Sequence, residues 1–307
     1  MPTPLRVLPD IAAALQRGAP VVALETSVLS QGLPIPHNAD AARRMVSAVE
    51  REGAIAALTA VAAGEATLGL TEAELQRFLA RDGVRKVSAR DLAACIVQGA
   101  DGATTVAASL ALARAGGIEV FATGGIGGVH RGAPFDESGD LQALAQTPVI
   151  TICAGAKSIL DLPATLERLE TLGVPVIGYR TDELPGFFTI GTGLRVPQRA
   201  YSAGEIAQIA RMHWALGARS ALLVVQPPPA DAALDQALVD AAVSDAVRDA
   251  AMQGVTGAAL TPFLLGAVLS ATGGRSVPTN LALLEANAAL AAQVSVALAA
   301  LRTAERA

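Results

Sequence analysis

The spacing of hydrophobic and polar positions changes repeatedly along the chain. V-V-A-L-E at 21–25 is an apolar run closed by an acid and predicts a buried strand, and the T-S-V-L-S-Q-G-L-P-I-P-H-N run from residue 26 predicts a loop. Glu25 is thereby placed at a strand end. Asn38 or Asp40 opens a predicted helix running to about residue 52, and the small residues of 54–63 read as a strand or a buried turn. Thr71 with Glu74 has the spacing of a capping box before a helix over 72–80, and Ser88 with Asp91 repeats it just after Lys86. A helix over 104–115 leads to a strand over 118–122.

Residues 123–138 carry five glycines and no apolar period, which predicts a long loop at a strand terminus; loops of this length inside a compact fold usually serve function. A helix over 139–146 and a strand over 149–153 follow. A-G-A-K-S then turns the chain into a predicted helix over 158–161, continued after Pro163 to residue 172. Strands are predicted over 174–179 and 221–226, separated by a helix that Ser202 and Glu205 open, and the remainder reads as helical, with an Ala-rich helix after Asn280. Alternating strands and helices without a linker or repeat predict one α/β domain over 1–307, a three-layer α/β/α arrangement with a largely parallel sheet. In such sheets ligands bind beyond the carboxyl ends of the strands, where Glu25, the Gly-rich loop and Lys157 all fall.

Composition narrows the function. Apolar residues make up 52% of the chain and aromatics 3%, so the core is built from Ala, Val, Leu and Ile. The net charge of −5 supplies no concentrated positive field for nucleic acid or anionic lipid, leaving a small-molecule substrate. The longest apolar stretch, about 256–274, is interrupted by Pro262 and glycines, so no membrane span is expected. Cys95 and Cys153 form no disulfide framework and the amino terminus lacks a signal-peptide core, which predicts a cytoplasmic protein. All basic residues but two are arginine; the exceptions are Lys86 and Lys157. Arginine keeps its proton in a protein whereas lysine can lose it, so these positions suit an amine rather than a mere charge. Histidine (His37, His130, His213) and asparagine (Asn38, Asn280, Asn287) are equally scarce.

Several segments could carry chemistry. G-G-I-G-G at 124–128 exposes backbone N–H groups that can wrap a phosphate, or forms a tight structural turn, and His130 and Arg131 extend it with donors. Thr104 and Thr105 either cap a helix or add phosphate donors. Asp136 and Asp140 are helix-start carboxylates or ligands of a divalent cation. Lys157 lies among small and apolar residues; partial desolvation would lower its pKa from about 10.4 and free an amine able to form an imine with a sugar aldehyde. Glu25, at the end of an apolar strand, is the matching proton carrier.

Longer motifs carry a resemblance. E-T-S-V-L-S-Q-G-L-P-I-P-H-N (25–38), K-V-S-A-R-D-L (86–92), T-G-G-I-G-G-V-H-R-G-A (123–133), C-A-G-A-K-S-I-L-D-L (153–162), G-V-P-V-I-G-Y-R-T-D-E-L-P (173–185), T-P-F-L-L (261–265) and G-G-R-S-V-P-T-N (273–280) together resemble the pseudouridine-5′-phosphate glycosidase family, also called the indigoidine synthase A family. The resemblance implies reversible cleavage of the C–C glycosidic bond of pseudouridine 5′-phosphate to uracil and ribose 5-phosphate, with a divalent metal, usually Mn²⁺, in a homotrimer of α/β/α subunits. It implies Lys157 as the imine-forming nucleophile, Glu25 as the proton donor and Asp136 as the metal-binding carboxylate. Lys86, Val106, Ser138, Gly139 and Asp140 are implied substrate contacts, and Thr105, Thr123, His130 and Asn280 match positions around the phosphate, ribose or uracil. The chain departs from the family pattern in a shorter link between His130 and Asp136 and in Gly139, where alanine is usual. The reading of one domain over 1–307 expects no fused kinase segment. The same imine chemistry would also serve a lyase or aldolase acting on another phosphosugar, and a catalytically silent phosphosugar-binding protein is the reading from outside enzymology.

Overall fold

The computed structural model describes residues 5–132, 136–255 and 260–306. Its centre is an eleven-stranded sheet, β1 (Leu5–Val7), β2 (Val21–Leu24), β3 (Ile55–Ala62), β4 (Glu65–Leu68), β5 (Arg85–Val87), β6 (Gly102–Thr104), β7 (Val120–Ala122), β8 (Ile150–Cys153), β9 (Val176–Tyr179), β10 (Gln198–Ala200) and β11 (Leu222–Val225). The order is β1-β4-β3-β2-β7-β8-β11-β9-β10, with β6 on β3 and β5 on β6. All pairings are parallel except β3–β4 and β3–β6. The largely parallel sheet flanked by helices is the expected architecture.

The helices are α1 (Pro9–Gln16), α2 (His37–Arg51), α3 (Glu72–Ala80), α4 (Leu92–Val97), α5 (Val106–Ala115), α6 (Gly139–Gln146), α7 (Leu162–Thr171), α8 (Ala203–Ala215), α9 (Gln236–Met252), α10 (Leu260–Ala271) and α11 (Ser276–Arg306). α11 packs on β2, β7 and β8 and against α2 and α8, while α5 packs on β2, β3, β4 and β7 beside α6. α11 is the one helix among the described residues long and apolar enough to cross a membrane, and 61% of its most apolar stretch is buried in this packing. Such burial is what a central core helix of a three-layer fold requires. The long apolar stretch named from sequence falls partly on 256–259, outside the described residues.

Local chemistry accounts for most element boundaries. Thr71 accepts from the Glu74 N–H, and Glu74 returns a carboxylate to the Thr71 N–H, completing the capping box of α3. Ser138 opens α6 by accepting from Asp140, and that helix covers the predicted residues. Other boundaries differ from expectation. Ser88 and Asp91 do form a capping box, but over a 3₁₀ turn at Ala89–Asp91. Glu205 reaches past Ser202 to the Tyr201 N–H. The predicted helix over 158–161 is a turn, because Asp161 is already the cap of α7, accepting from Ala164. The uncertain run at 54–63 is β3, which outruns β2. Its second half meets β4 through a turn at Ala63 and Gly64, both at positive φ, while β6 takes the place of β2 on the opposite edge.

Candidate functional site

β2, β7, β8 and β11 are mutually parallel, so the chain leaves each at the same edge of the sheet. Glu25 is the first residue beyond β2, Thr123 the first beyond β7, Ala154 the first beyond β8 and Gln226 the first beyond β11. The β7–β8 ladder then continues past its strands. Thr123 N–H donates to Ile152 O at 3.0 Å, Ala154 N–H to Gly124 O at 2.9 Å, Ile126 N–H to Gly155 O at 3.1 Å and Lys157 N–H to Ile126 O at 3.1 Å. The Gly-rich segment and the lysine segment are therefore one extended ribbon rather than two loose loops.

A partly open cleft lies over this edge. Its walls include Glu25, Lys86, Lys157 and Asn280, with Gly124 and Gly125 between them. The structure thus brings four of the sequence-predicted site residues together from β2, β5, β8 and α11. Ser27, Gln31, Phe187, Thr261 and Leu265 complete the walls and were not singled out from the sequence. Ser27, Gln31 and the neighbouring Val28 belong to or flank a π-helical turn at Val28–Gly32, inside what read as plain loop. Phe187 holds a left-handed backbone (φ 67°), rare for a bulky residue, and its ring meets Phe188 edge to face at 4.6 Å.

Glu25 is 5% exposed. Its Oε1 accepts from the Thr123 hydroxyl and its Oε2 from Ser27 Oγ at 2.8 Å. Burial pushes its carboxyl above the ordinary glutamate value, against the opposing pull of Lys157 and the two hydroxyls, while Asp140 adds to the rise. The adjoining Thr26 joins Thr59, Thr104 and Ser109 in a buried hydroxyl cluster. Thr104 spends its hydroxyl on Thr59 O at 2.7 Å, so of the paired threonines it is a structural one. Thr105 Oγ1 is buried with no partner at the start of α5, beside the buried Val106. Asn280 Oδ1 is likewise buried and unpaired at the cleft wall.

Lys86 stays accessible through the cleft mouth. Its amine is held below the ordinary lysine value, first by the low-polarity surroundings and then by Lys157; Glu25 and Asp140 oppose the effect.

Asp140, 6% exposed, accepts from Ala107 N–H at 3.0 Å and Gly127 N–H at 2.8 Å. It clamps the starts of α5 and α6 to the Gly-rich ribbon. Ser138 and Gly139 stand at the head of α6, with Ser138 against Gly127. On either side of 133–135, which lie outside the described residues, Ser138 N–H donates to Gly128 O and His130 N–H to Asp136 O. The shorter link seen in the sequence includes 133–135. His130 and Asp136 do not line the cleft. Asp136, 43% exposed, has Oδ2 3.0 Å from His130 Nδ1, a nitrogen that is buried and makes no aligned hydrogen bond. Among the described residues no three His, Cys, Asp or Glu side chains gather as a metal cluster.

Known proteins place this site in a family. The model of the indigoidine synthase A like protein family matches residues 10–297. A pseudouridine-5′-phosphate glycosidase of Gemmatimonas aurantiaca is 62% identical over 95% of this chain and 96% of its own, and one of Roseiflexus sp. is 52% identical over 96% of each. Among solved structures, a prealnumycin C-glycosynthase in complex with ribulose 5-phosphate superposes with a TM-score of 0.91 at 37% identity, covering 98% of both chains. An indigoidine synthase A-like protein of Thermotoga maritima gives 0.89 at 33% identity, covering 97% of this chain and 98% of that one. With the family model matching most of the chain and relatives this similar over nearly its whole length, the chain belongs to the indigoidine synthase A-like family.

Proposed function

We propose that this protein is a pseudouridine-5′-phosphate glycosidase that splits its substrate reversibly into uracil and ribose 5-phosphate. The observation that carries the reading is the convergence of Glu25, Lys86 and Lys157 on one cleft at the sheet edge. The shared name of the relatives supports the substrate, and the ribulose 5-phosphate held by the C-glycosynthase supports a five-carbon sugar phosphate.

A C–C glycosidic bond offers no leaving oxygen to protonate, so the paired carboxylates of ordinary glycosidases do not suffice. An amine supplies the missing electron sink. The Lys157 nitrogen bonds to C1′ as the C1′–O4′ bond breaks, and the proton the amine loses is taken up by O4′. Glu25, whose burial favours the protonated form, gives a proton to C5 of the base. The nitrogen pair then forms C1′=N while the C1′–C5 pair returns to the ring, releasing neutral uracil. Water hydrolyses the imine and frees the lysine. Lys86 and the Thr105 hydroxyl are suited to the sugar phosphate, whose binding orients the reacting carbon. Asn280 offers its unpaired Oδ1 to an N–H donor of the ligand.

The exposed Asp136 carboxylate and the His130 nitrogen beside it fit a divalent ion that keeps most of its waters, as Mn²⁺ does. Bound there, outside the cleft walls, the ion would add positive charge beside the end of the Gly-rich segment rather than touch the sugar in the cleft. A single domain, a homotrimer and a cytoplasmic location, the last two suggested by the resemblance and the composition, complete the proposal.

Borohydride treatment in the presence of ribose 5-phosphate tests the reading. A stable adduct on Lys157, found by peptide mass mapping, is expected. An adduct on Lys86 alone, or none, contradicts it.

A further inference from the structure

Asn287 lies on α11 two turns after Asn280 and is 1% exposed. Its Nδ2 donates to Thr123 O at 2.8 Å and reaches Gly124 O at 3.4 Å, and its Oδ1 accepts from Gln226 Nε2 at 2.9 Å. Two carbonyls on one side can only accept, so the amide has one orientation. These bonds join the long helix to the chain leaving β7 and β11. Thr123 is pinned from the other side by its N–H bond to Ile152 O. With its backbone fixed at both N–H and C=O, its Cβ has a set position, and from there the hydroxyl donates to Glu25 Oε1.

We propose that Asn287 is a positioning residue for the proton donor: by holding the Thr123 carbonyl it aims the Thr123 hydroxyl at Glu25 and so sets how readily that carboxyl releases its proton. The inference rests on the reading of Glu25 as donor. The other groups acting on Glu25 are Ser27 beside it, Lys157 beyond β8, Lys86 on β5 and Asp140 on α6, and no hydrogen bond joins any of them to Asn287. A donated hydrogen bond stabilises the carboxylate, so loosening it raises the pH at which Glu25 ionises. A residue that merely fills polar space in the core would leave that pH where it is.

The test is the pH profile of uracil release from pseudouridine 5′-phosphate for wild type, Asn287→Leu, Thr123→Val and the double variant. The alkaline limb of kcat/KM, which reports the acid of the free enzyme, is expected to move up by about half a pH unit in Asn287→Leu. Thr123→Val should move it at least as far, and the double variant no further than Thr123→Val, because the route through the hydroxyl is already gone. Adduct formation between ribose 5-phosphate and Lys157 should be unchanged in Asn287→Leu. A fixed limb with a lowered rate, or shifts that simply add, overturns the inference. Should Asn287→Leu fail to fold, Gln226→Met, which removes the donor to Asn287 Oδ1, takes its place with the same expected and the same contrary result. Glu25→Gln at wild-type rate would instead overturn the donor reading beneath it.

Discussion

Lys157 and Ile126 are joined by the last rung of the β7–β8 ladder, the Lys157 N–H donating to the Ile126 carbonyl at 3.1 Å, three residues beyond the Thr123 that bonds Glu25. The lysine and the carboxyl thus take their positions from the same ribbon. Their relative placement is a property of the sheet and not of loop conformation, which suits a reaction in which one group bonds to carbon while the other delivers a proton to the neighbouring atom.

Glu25→Gln should separate activity from stability. Loss of the donor is expected to slow uracil release about 10²–10⁴-fold. The sign of the stability effect follows from the raised carboxyl pKa. As pH rises past the ordinary glutamate value the unfolded chain releases its proton while the native state keeps it, so wild-type stability declines until the native group also ionises. The glutamine variant lacks this decline. Melting temperatures measured from pH 4 to 8 should show the variant gaining on wild type toward neutral pH; a gap that narrows instead contradicts a buried carboxyl with raised pKa.

Two glycines of the site region should respond oppositely to alanine. A Cβ on Gly125 would lie 2.6 Å from the Phe187 ring and 2.9 Å from Gly155 O, a contact with backbone that cannot swing away. Gly125→Ala should cost about 1–3 kcal/mol in denaturant unfolding and distort the cleft floor. A Cβ on Gly139 would have only Ser88 Oγ near it, at 3.6 Å, in the first turn of α6. Gly139→Ala should be neutral or stabilising by up to about 1 kcal/mol, with activity retained. Equal destabilisation by both would mean the close approach at Gly125 is unimportant.

These two cases show what the sequence can and cannot convey. The head of α6 was legible because Ser138 and Asp140 are chemical signals of a helix start. Glu25, Lys157 and Asn280 were legible as site residues from their motifs, and the strand pattern put the first two at strand ends. The wall made by Phe187 was not legible, since its place depends on a left-handed backbone that no local pattern encodes. Three-residue strands such as β1, β5, β6 and β10 are too short to show a period, and the β3–β4 turn is Ala-Gly rather than the stronger Asn-Gly signal. Asn287 drew notice only as a scarce residue. Its partners lie 61 and 164 positions away, a relation only the fold creates.

Asp136→Asn should weaken metal binding at its source. The concentration of Mn²⁺ giving half-maximal uracil release is expected to rise about tenfold or more, with little change in melting temperature because the side chain is exposed. His130→Ala should raise it less. Full activity of the wild type after exhaustive chelation would remove the metal from the account.

The central claim is that a lysine amine at position 157 carries the reaction. Uracil release from pseudouridine 5′-phosphate, measured for wild type and Lys157→Arg with folding checked by circular dichroism, tests it most directly. The account predicts metal-dependent release by the wild type and a loss of about 10³-fold or more in the folded variant, because arginine keeps the charge but offers no free amine. Comparable release by the folded variant, or none by the wild type, would contradict it.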